Sequence, residues 1–384
     1  MDLKPILDHY DDFKAAQLQN RFFKHADVIR LLQELPAAFE VVHLGNSVKS
    51  NSINLVKWGK GKTKIMLWSQ MHGDEATGTM ALFDLFNFLQ GDNDYVKLLA
   101  ENCQLFFIPM VNPDGAAVFT RRNAQQIDIN RDFLKERSPE AKILKQCRAQ
   151  IQPDFGFNLH DQLTLWSVTK TLKPATLSFL APAIDEELSI DQTRKNAMLV
   201  IAEMFKHLDP ILPKHIGLFD DEFEPRAFGD NFQKAGTATI LIEAGGLAAD
   251  FEKQEIRSYY FASILAGLHA IATKSFEQQD LNNYFSIPKN NKQIFHILIH
   301  QLMLDGIEVS IGINYEECPV ADGYSTTKTY SIQDIGDLSF CDAYQNYTSA
   351  QLKVKGEIIL YQNAHFELFD NDQLILSFQN GKLL

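Results

Sequence analysis

The sequence predicts an α/β fold, with a mixed central β-sheet flanked by helices and a small C-terminal β-rich domain. Three observations predict it. Apolar runs with strand character (64–70, 104–111, 154–159 and 237–242) alternate with segments whose apolar residues recur at helical spacing. After Phe276 the helical spacing mostly disappears, and short alternating runs separated by Asp-Gly and Asn-Gly turns take over. A chain of 384 residues is long enough for one large domain and a smaller one. The expected division is 1–275, with N-terminal helices over 1–37 and a core over 38–275, and then 280–384.

Taken in order, residues 1–37 read as two amphipathic helices closed by Pro36. Runs 39–48 and 53–58 alternate apolar and polar residues around Gly45-Asn46 and before Gly59-Lys60-Gly61-Lys62, which predicts an antiparallel pair at a sheet edge. Run 64–70 is a central strand, followed by a helix over 76–89 carrying Met80, Leu82, Phe83, Phe86 and Leu89. Run 104–111 is a second buried strand ending in the turn sequence Asn112-Pro113-Asp114-Gly115. Residues 116–138 form an irregular polar connection of the kind that often carries function. A helix capped by Ser138 with Pro139 at its first position follows, to about 150. Strands at 154–159, 176–180 and 237–242 and helices at 190–208 and 254–274 complete the large domain. In the C-terminal part, strands are expected near 308–313, 327–332, 351–360, 366–369 and 374–378, with one helical segment at 296–304.

Composition limits the partners. The chain has 36 basic and 49 acidic residues, a net charge of −13, which argues against a nucleic-acid surface. No apolar run is long enough to span a bilayer, and the first residues lack the basic-then-apolar order of a secretion signal. The four cysteines are scattered, as in reduced thiols of a cytoplasmic protein. The expectation is a cytoplasmic protein with no membrane and no nucleic-acid partner.

Three core strands end in a residue of metal-binding or acid–base type. The first runs into His72-Gly73-Asp74-Glu75, the second into His160, the third into Glu243. In an open α/β sheet, ligands bind at the carboxyl ends of the strands. Two histidines and a glutamate fill the quota of three protein ligands that a catalytic zinc ion takes, leaving one position open. His72, Glu75 and His160 are therefore the expected ligands of one zinc ion per chain. Glu243 is left as a carboxylate near the water, able to take its proton and pass it on.

On His-x-x-Glu followed by a distant His, and on the loop Arg121-Arg122-Asn123 … Asp128-Ile129-Asn130-Arg131, the chain resembles the carboxypeptidase A-like superfamily of zinc metallopeptidases, and His-Gly-Asp-Glu resembles the form of its bacterial branches. The resemblance covers about 40–272 and also takes in Asn112-Pro113-Asp114-Gly115. It implies a zinc carboxypeptidase acting on a peptide with a free carboxylate. Arg121 would polarise the scissile carbonyl and face the oxyanion. Asn130 and Arg131 would grip the terminal carboxylate, Arg131 as a fork. Asp128 would orient a zinc-bound imidazole, that of His72.

The interval 217–232 departs from the best-known members, because it holds no tyrosine where they place a mobile one. Peptidases of cell-wall peptides and deacylases of N-acyl amino acids also belong to this superfamily, so an amidohydrolase acting on a small N-acyl amino acid is the competing enzyme reading. A zinc-holding binding protein without turnover is the competing reading of another class. Arg122 reads as a surface or substrate-rim charge, the run Asp220-Asp221-Glu222-Phe223-Glu224 as a solvated loop, with attraction of a basic substrate side chain as its functional alternative, and His296 with His300, which lack a third ligand, as no metal site.

Overall fold

A computed structural model describes residues 1–384. Its main sheet has eight strands. β1 (Glu40–Asn46), β2 (Ser52–Trp58), β3 (Thr63–Ser69), β4 (Cys103–Ile108) and β5 (Phe155–Asp161) lie in the order β1-β2-β4-β3-β5. The strands Ala238–Ala244, Leu177–Leu180 and Ile216–Leu218 then continue it to the far edge. β1 and β2 are the expected antiparallel edge pair, with a register shift at His43/Gly45. β3, β5 and Ala238–Ala244 run parallel, so their carboxyl ends open on the same edge.

The period-2 geometry of these strands explains why the runs are continuously apolar rather than alternating. In β3, Ile65 and Leu67 face one core while Met66 and Trp68 face the other; in β4, Leu105 and Phe107 are separated from Phe106 and Ile108 in the same way. The helices Thr77–Phe88, Gln192–Leu208 and Gln254–Thr273 cover the first face, with Leu82, Ile201 and Leu265 fully buried. Helices Pro139–Ile151 and Phe228–Lys234 cover the second through Leu144 and Phe232. Ser138 caps the former as expected, its hydroxyl accepting from the Ala141 amide.

Three expectations are corrected. Residues 1–37 hold two helices, as the pattern predicts, but Lys4–Asp8 and His25–Gln33 are short and leave between them an irregular stretch with a 3-10 turn at Tyr10–Asp12. The intervening backbone is tied down by a buried ion pair instead. Arg257 bonds Asp84 at 2.5 and 2.7 Å and donates to the Leu18 and Ala15 carbonyls. Asp84 in turn accepts from the Ala15 amide and the Tyr10 hydroxyl, which satisfies those groups without a helix. Second, Asn112-Pro113-Asp114-Gly115 begins a short helix, Pro113–Val118, with Asn112 as its cap. Third, the segment around His296–Leu304 is a strand.

That strand, Ile294–Leu304, lies in a four-stranded sheet of order Thr326–Gly336, Ile307–Pro319, Ile294–Leu304, Asp342–Thr348. A meander of Leu352–Glu357, His365–Asp370, Gln373–Gln379 and Lys382–Leu383 packs on it. Ile297, Ile311, Ile332, Phe366 and Phe378 belong to an apolar core of their own. His296 and His300 have separate partners: His296 meets Thr164 and the Tyr315 amide, His300 meets Asn346. The C-terminal sheet is anchored to the rest by Arg21, whose guanidinium forks onto Glu317 at 2.8 and 3.2 Å.

Two predictions follow from these ties. Arg257→Met leaves Asp84 charged and buried, and should destabilise the protein by about 3–5 kcal/mol, read by urea denaturation. Burial alone would raise the Glu317 carboxyl, but the Arg21 bonds outweigh it and hold the group below its ordinary value. Its stabilising contribution is therefore present above the unfolded glutamate pKa and is lost as pH falls through the lower folded value. Stability measured across the acid range should fall less steeply in Glu317→Gln than in the parent.

Candidate metal centre

β3 ends at Ser69, and the turn that follows delivers His72 and Glu75 before the helix Thr77–Phe88 begins. The turn is closed by the Glu75 amide on the His72 carbonyl, 3.2 Å, and by Gln70 Nε2 on the Gly73 carbonyl, 3.0 Å. Gly73 is required by close approach: a Cβ there would stand 2.1 Å from the Gly115 carbonyl carbon. The turn after β3 and the helix start after β4 are thus pressed together, backbone to backbone. β5 supplies His160, which lies opposite Glu243 in the register of the neighbouring strand.

The Glu75 carboxylate sits between two imidazoles. His72 Nδ1 is 2.7 Å from Oε1 and His160 Nδ1 is 2.6 Å from Oε2. One ligand atom from each of the three side chains lies within 4.8 Å of the others, and all three residues are buried. His72 Nε2 faces Asp128 Oδ1 at 3.2 Å, the outward partner that fixes the ring. Two nitrogens and a carboxylate this close together are a donor set that could hold a metal ion, of the type that suits zinc. Glu243 Oε2, buried and without a hydrogen-bond partner, adds an unsatisfied acceptor on the same sheet edge.

Electrostatics point the same way. Burial disfavours ionised Glu75, but His72 and His160 override it and hold its carboxyl well below the ordinary range. Burial opposes the His72 imidazolium, yet Glu75 and Asp128 raise its pKa overall. In His160 burial wins and the pKa falls. Burial, then the charges of Glu75 and Asp161, push Glu243 well up, against the pull of Lys253 and Arg121. Asp74 is raised to about 6, first by burial and then by Glu75. Five carboxyl groups, Asp74, Glu75, Asp128, Asp161 and Glu243, thus cluster around two cations. A bound dication would offset that excess.

Arg121 reaches this cluster from the irregular connection. Its Nε is 3.0 Å from Asp128 Oδ2, and Nη1 is 3.2 Å from Glu75 Oε1 and 3.1 Å from His72 Nδ1. Arg122 turns away to the Gln126 carbonyl and is exposed, as its reading as a surface charge expected. Asn130 and Arg131 lie on a one-turn 3-10 helix capped by Asp128. Asn130 Oδ1 accepts from the Phe228 amide at 2.9 Å, while Arg131 is exposed and pairs with Glu224 at 3.0 Å. The acidic run is therefore not simply solvated: Glu224 also binds Arg226, and Asp221 binds the buried Arg194.

Lys253 had no signal in the sequence. It is buried, carries a φ of +52°, and its ammonium bridges Asp161 at 3.1 Å and the Ala244 carbonyl at 2.9 Å. Asp161 meanwhile donates its backbone N–H to Glu75 Oε2 and accepts from Thr77. Only the adjacency of Asp161 to His160 hints at this support.

Residues 25–178 match the family model described as zinc carboxypeptidase, Peptidase_M14. Carboxypeptidase 2 of Trichophyton rubrum is 29% identical over 100 residues, 26% of this chain and 19% of that protein. A zinc carboxypeptidase of Simulium vittatum is 32% identical over 134 residues, 34% of this chain and 41% of that protein. The chain thus spans well under two thirds of these curated relatives. Among solved structures, the metallo-carboxypeptidase of Burkholderia cenocepacia superposes with a TM-score of 0.53 at 19% identity, over 66% of this chain and 69% of that one. The metallo-carboxypeptidase of Pseudomonas aeruginosa in complex with (2-guanidinoethylmercapto)succinic acid gives 0.53 at 18%, over 66% and 70%. By sequence, residues 25–178 match the zinc carboxypeptidase family model, and the chain shares its fold with bacterial metallo-carboxypeptidases.

Proposed function

We propose that the protein is a zinc-dependent metallocarboxypeptidase that hydrolyses an amide bond next to a free carboxylate. The observation that carries this reading is the convergence of His72, Glu75 and His160 beside Arg121, with Glu243 opposite His160 and one of its oxygens unpartnered. A zinc ion bound by the three ligands supplies Lewis-acid polarisation of the carbonyl and lowers the pKa of a water. Asp128 holds the His72 ring, and Arg121, itself tethered to Asp128, presents its guanidinium to the oxygen on which negative charge develops. Glu243 takes the proton of the attacking water and returns it to the leaving amine nitrogen. The raised affinity of Glu243 for a proton suits that double role.

Asn130 and Arg131 would receive the substrate carboxylate. The Asn130 amide oxygen is already engaged by Phe228, which leaves its two N–H donors for the ligand. Arg131 would share or exchange its Glu224 contact for the incoming carboxylate. A second reading keeps the same chemistry with a small N-acyl amino acid as substrate. It is favoured by the segment 217–232, which carries no tyrosine to cover a peptide. Expected standing features are one zinc per chain, a cytoplasmic location and a division into a catalytic part over 1–275 and a β-rich domain over 280–384.

Elemental analysis should find one zinc per chain in the parent and a loss of it in His160→Ala; a parent that holds none after reconstitution rejects the site. Glu243→Gln should keep the metal but lose turnover on a panel of blocked dipeptides and N-acyl amino acids, by about 100-fold or more. Near-parental rates in that variant would remove Glu243 from the chemistry and leave a metal-holding binder in contention.

A further inference from the structure

The two segments that leave the site from β5 and from Ala238–Ala244 are both held by the C-terminal sheet. Directly after His160 and Asp161, the Thr164 carbonyl accepts from the Tyr344 hydroxyl at 2.5 Å, and the Thr164 hydroxyl meets His296 Nε2 at 3.0 Å. Directly after Glu243, Gly246 lies so close to Tyr344 that a Cβ would stand 1.9 Å from its hydroxyl. Further on, the Lys328 ammonium sits 4.1 Å above the Phe251 ring.

These contacts are built rather than incidental. His296 is buried, stacks on Tyr315 at 3.6 Å, and accepts from the Tyr315 amide through Nδ1. Burial and then the Lys328 charge push its pKa down to about 3, so it stays a neutral hydrogen-bonding group in the wall. Ligands in an open α/β sheet enter at the carboxyl ends of the strands, so segments 162–168 and 246–252 form one rim of the cleft. The opposite function, grip on the carboxylate, is the one proposed above for Asn130 and Arg131, which lean on Phe228 and Glu224. No hydrogen bond or ion pair joins the C-terminal sheets to those residues.

We propose that the C-terminal sheet is the wall of the acyl side of the cleft and limits the enzyme to substrates with a short acyl portion. The proposal rests on the hydrolase reading given above. With the carboxylate held at 121–131, the part of the substrate on the far side of the scissile bond grows towards Thr164 and Phe251. Thr164 is backed by Tyr344 and His296, and the Phe251 ring, itself exposed, carries the Lys328 ammonium on one face. A short acyl group fits within that rim, and a longer one meets the sheet. Tyr344 and Lys328 act as positioning residues, through the segments they hold.

The test is a length series with one C-terminal residue: an N-acetyl amino acid, a blocked dipeptide and a blocked hexapeptide. Wild-type kcat/KM should fall by about tenfold or more from dipeptide to hexapeptide, a discrimination within reach of steric exclusion. Tyr344→Ala should narrow that ratio, mainly through KM of the hexapeptide, and Lys328→Gln serves if the first variant does not fold. Equal cleavage of both peptides by wild type, or an unchanged ratio in a folded variant, overturns the proposal.

Calorimetric binding of the same series to zinc-loaded Glu243→Gln separates the two layers. If wild type cleaves nothing but this variant binds dipeptide more tightly than hexapeptide, the wall stands and the hydrolase reading falls. Equal binding overturns the wall alone, and binding of no member overturns both.

Discussion

Everything at the centre of this molecule depends on one buried carboxylate. Glu75 loses its hydration on folding, and a lone ionised carboxylate in that position would protonate or destabilise the fold. It stays ionised because two imidazoles from different segments, His72 and His160, converge on its two oxygens. That convergence is possible only because β3 and β5 are parallel neighbours, so the turn after one and the last residues of the other share an edge. The packing of Gly73 against Gly115 adds the next layer, placing the segment that leads to Arg121 beside the same carboxylate.

Charge balance then explains the supporting cast. Arg121 answers Glu75 and Asp128, and Lys253 answers Asp161 while holding the Ala244 carbonyl next to Glu243. Each cation is shared between two obligations, so removing either would leave more than one group unpaired. What remains is the surplus of carboxyl groups and a set of unpartnered buried atoms, Glu243 Oε2, His160 Nε2, Asp74 Oδ1 and Asp161 Oδ1. A dication held by His72, Glu75 and His160 would offset the surplus of negative charge.

Away from the sheet edge, buried or half-buried arginines do what helices and strands do elsewhere. Arg257 satisfies the carbonyls of an irregular N-terminal segment, and Arg21 couples that segment to Glu317 of the C-terminal sheet. The N- and C-terminal parts are thereby linked on the side of the molecule where the segment after Glu243 passes, since Arg21 also approaches Glu252 at 3.7 Å. A planar fork with five donors suits this bridging better than a lysine.

The sequence by itself determined the layered α/β core, because period-2 and period-3.6 apolar patterns decide locally which face of each element is buried. It also determined the candidates His72, Glu75, His160 and Glu243, since a charged or ligating residue at the end of an apolar strand is visible without coordinates. The choice of Arg121 over Arg122 was legible only through a motif spacing, and the structure gives its reason in Asp128, to which only Arg121 is tied. Other features were decided by tertiary structure alone. The N-terminal segment is irregular because Asp84 and Arg257, 173 residues apart, satisfy its backbone. The stretch at His296 is a strand because pairing with Ile307–Pro319 and Asp342–Thr348 overrides a pattern that also suits a helix. Lys253, Arg131 with Glu224, and the seat of Tyr344 against Gly246 follow the same rule. Long-range charge pairing and close backbone approach are set by distances in space, which no local pattern along the chain encodes.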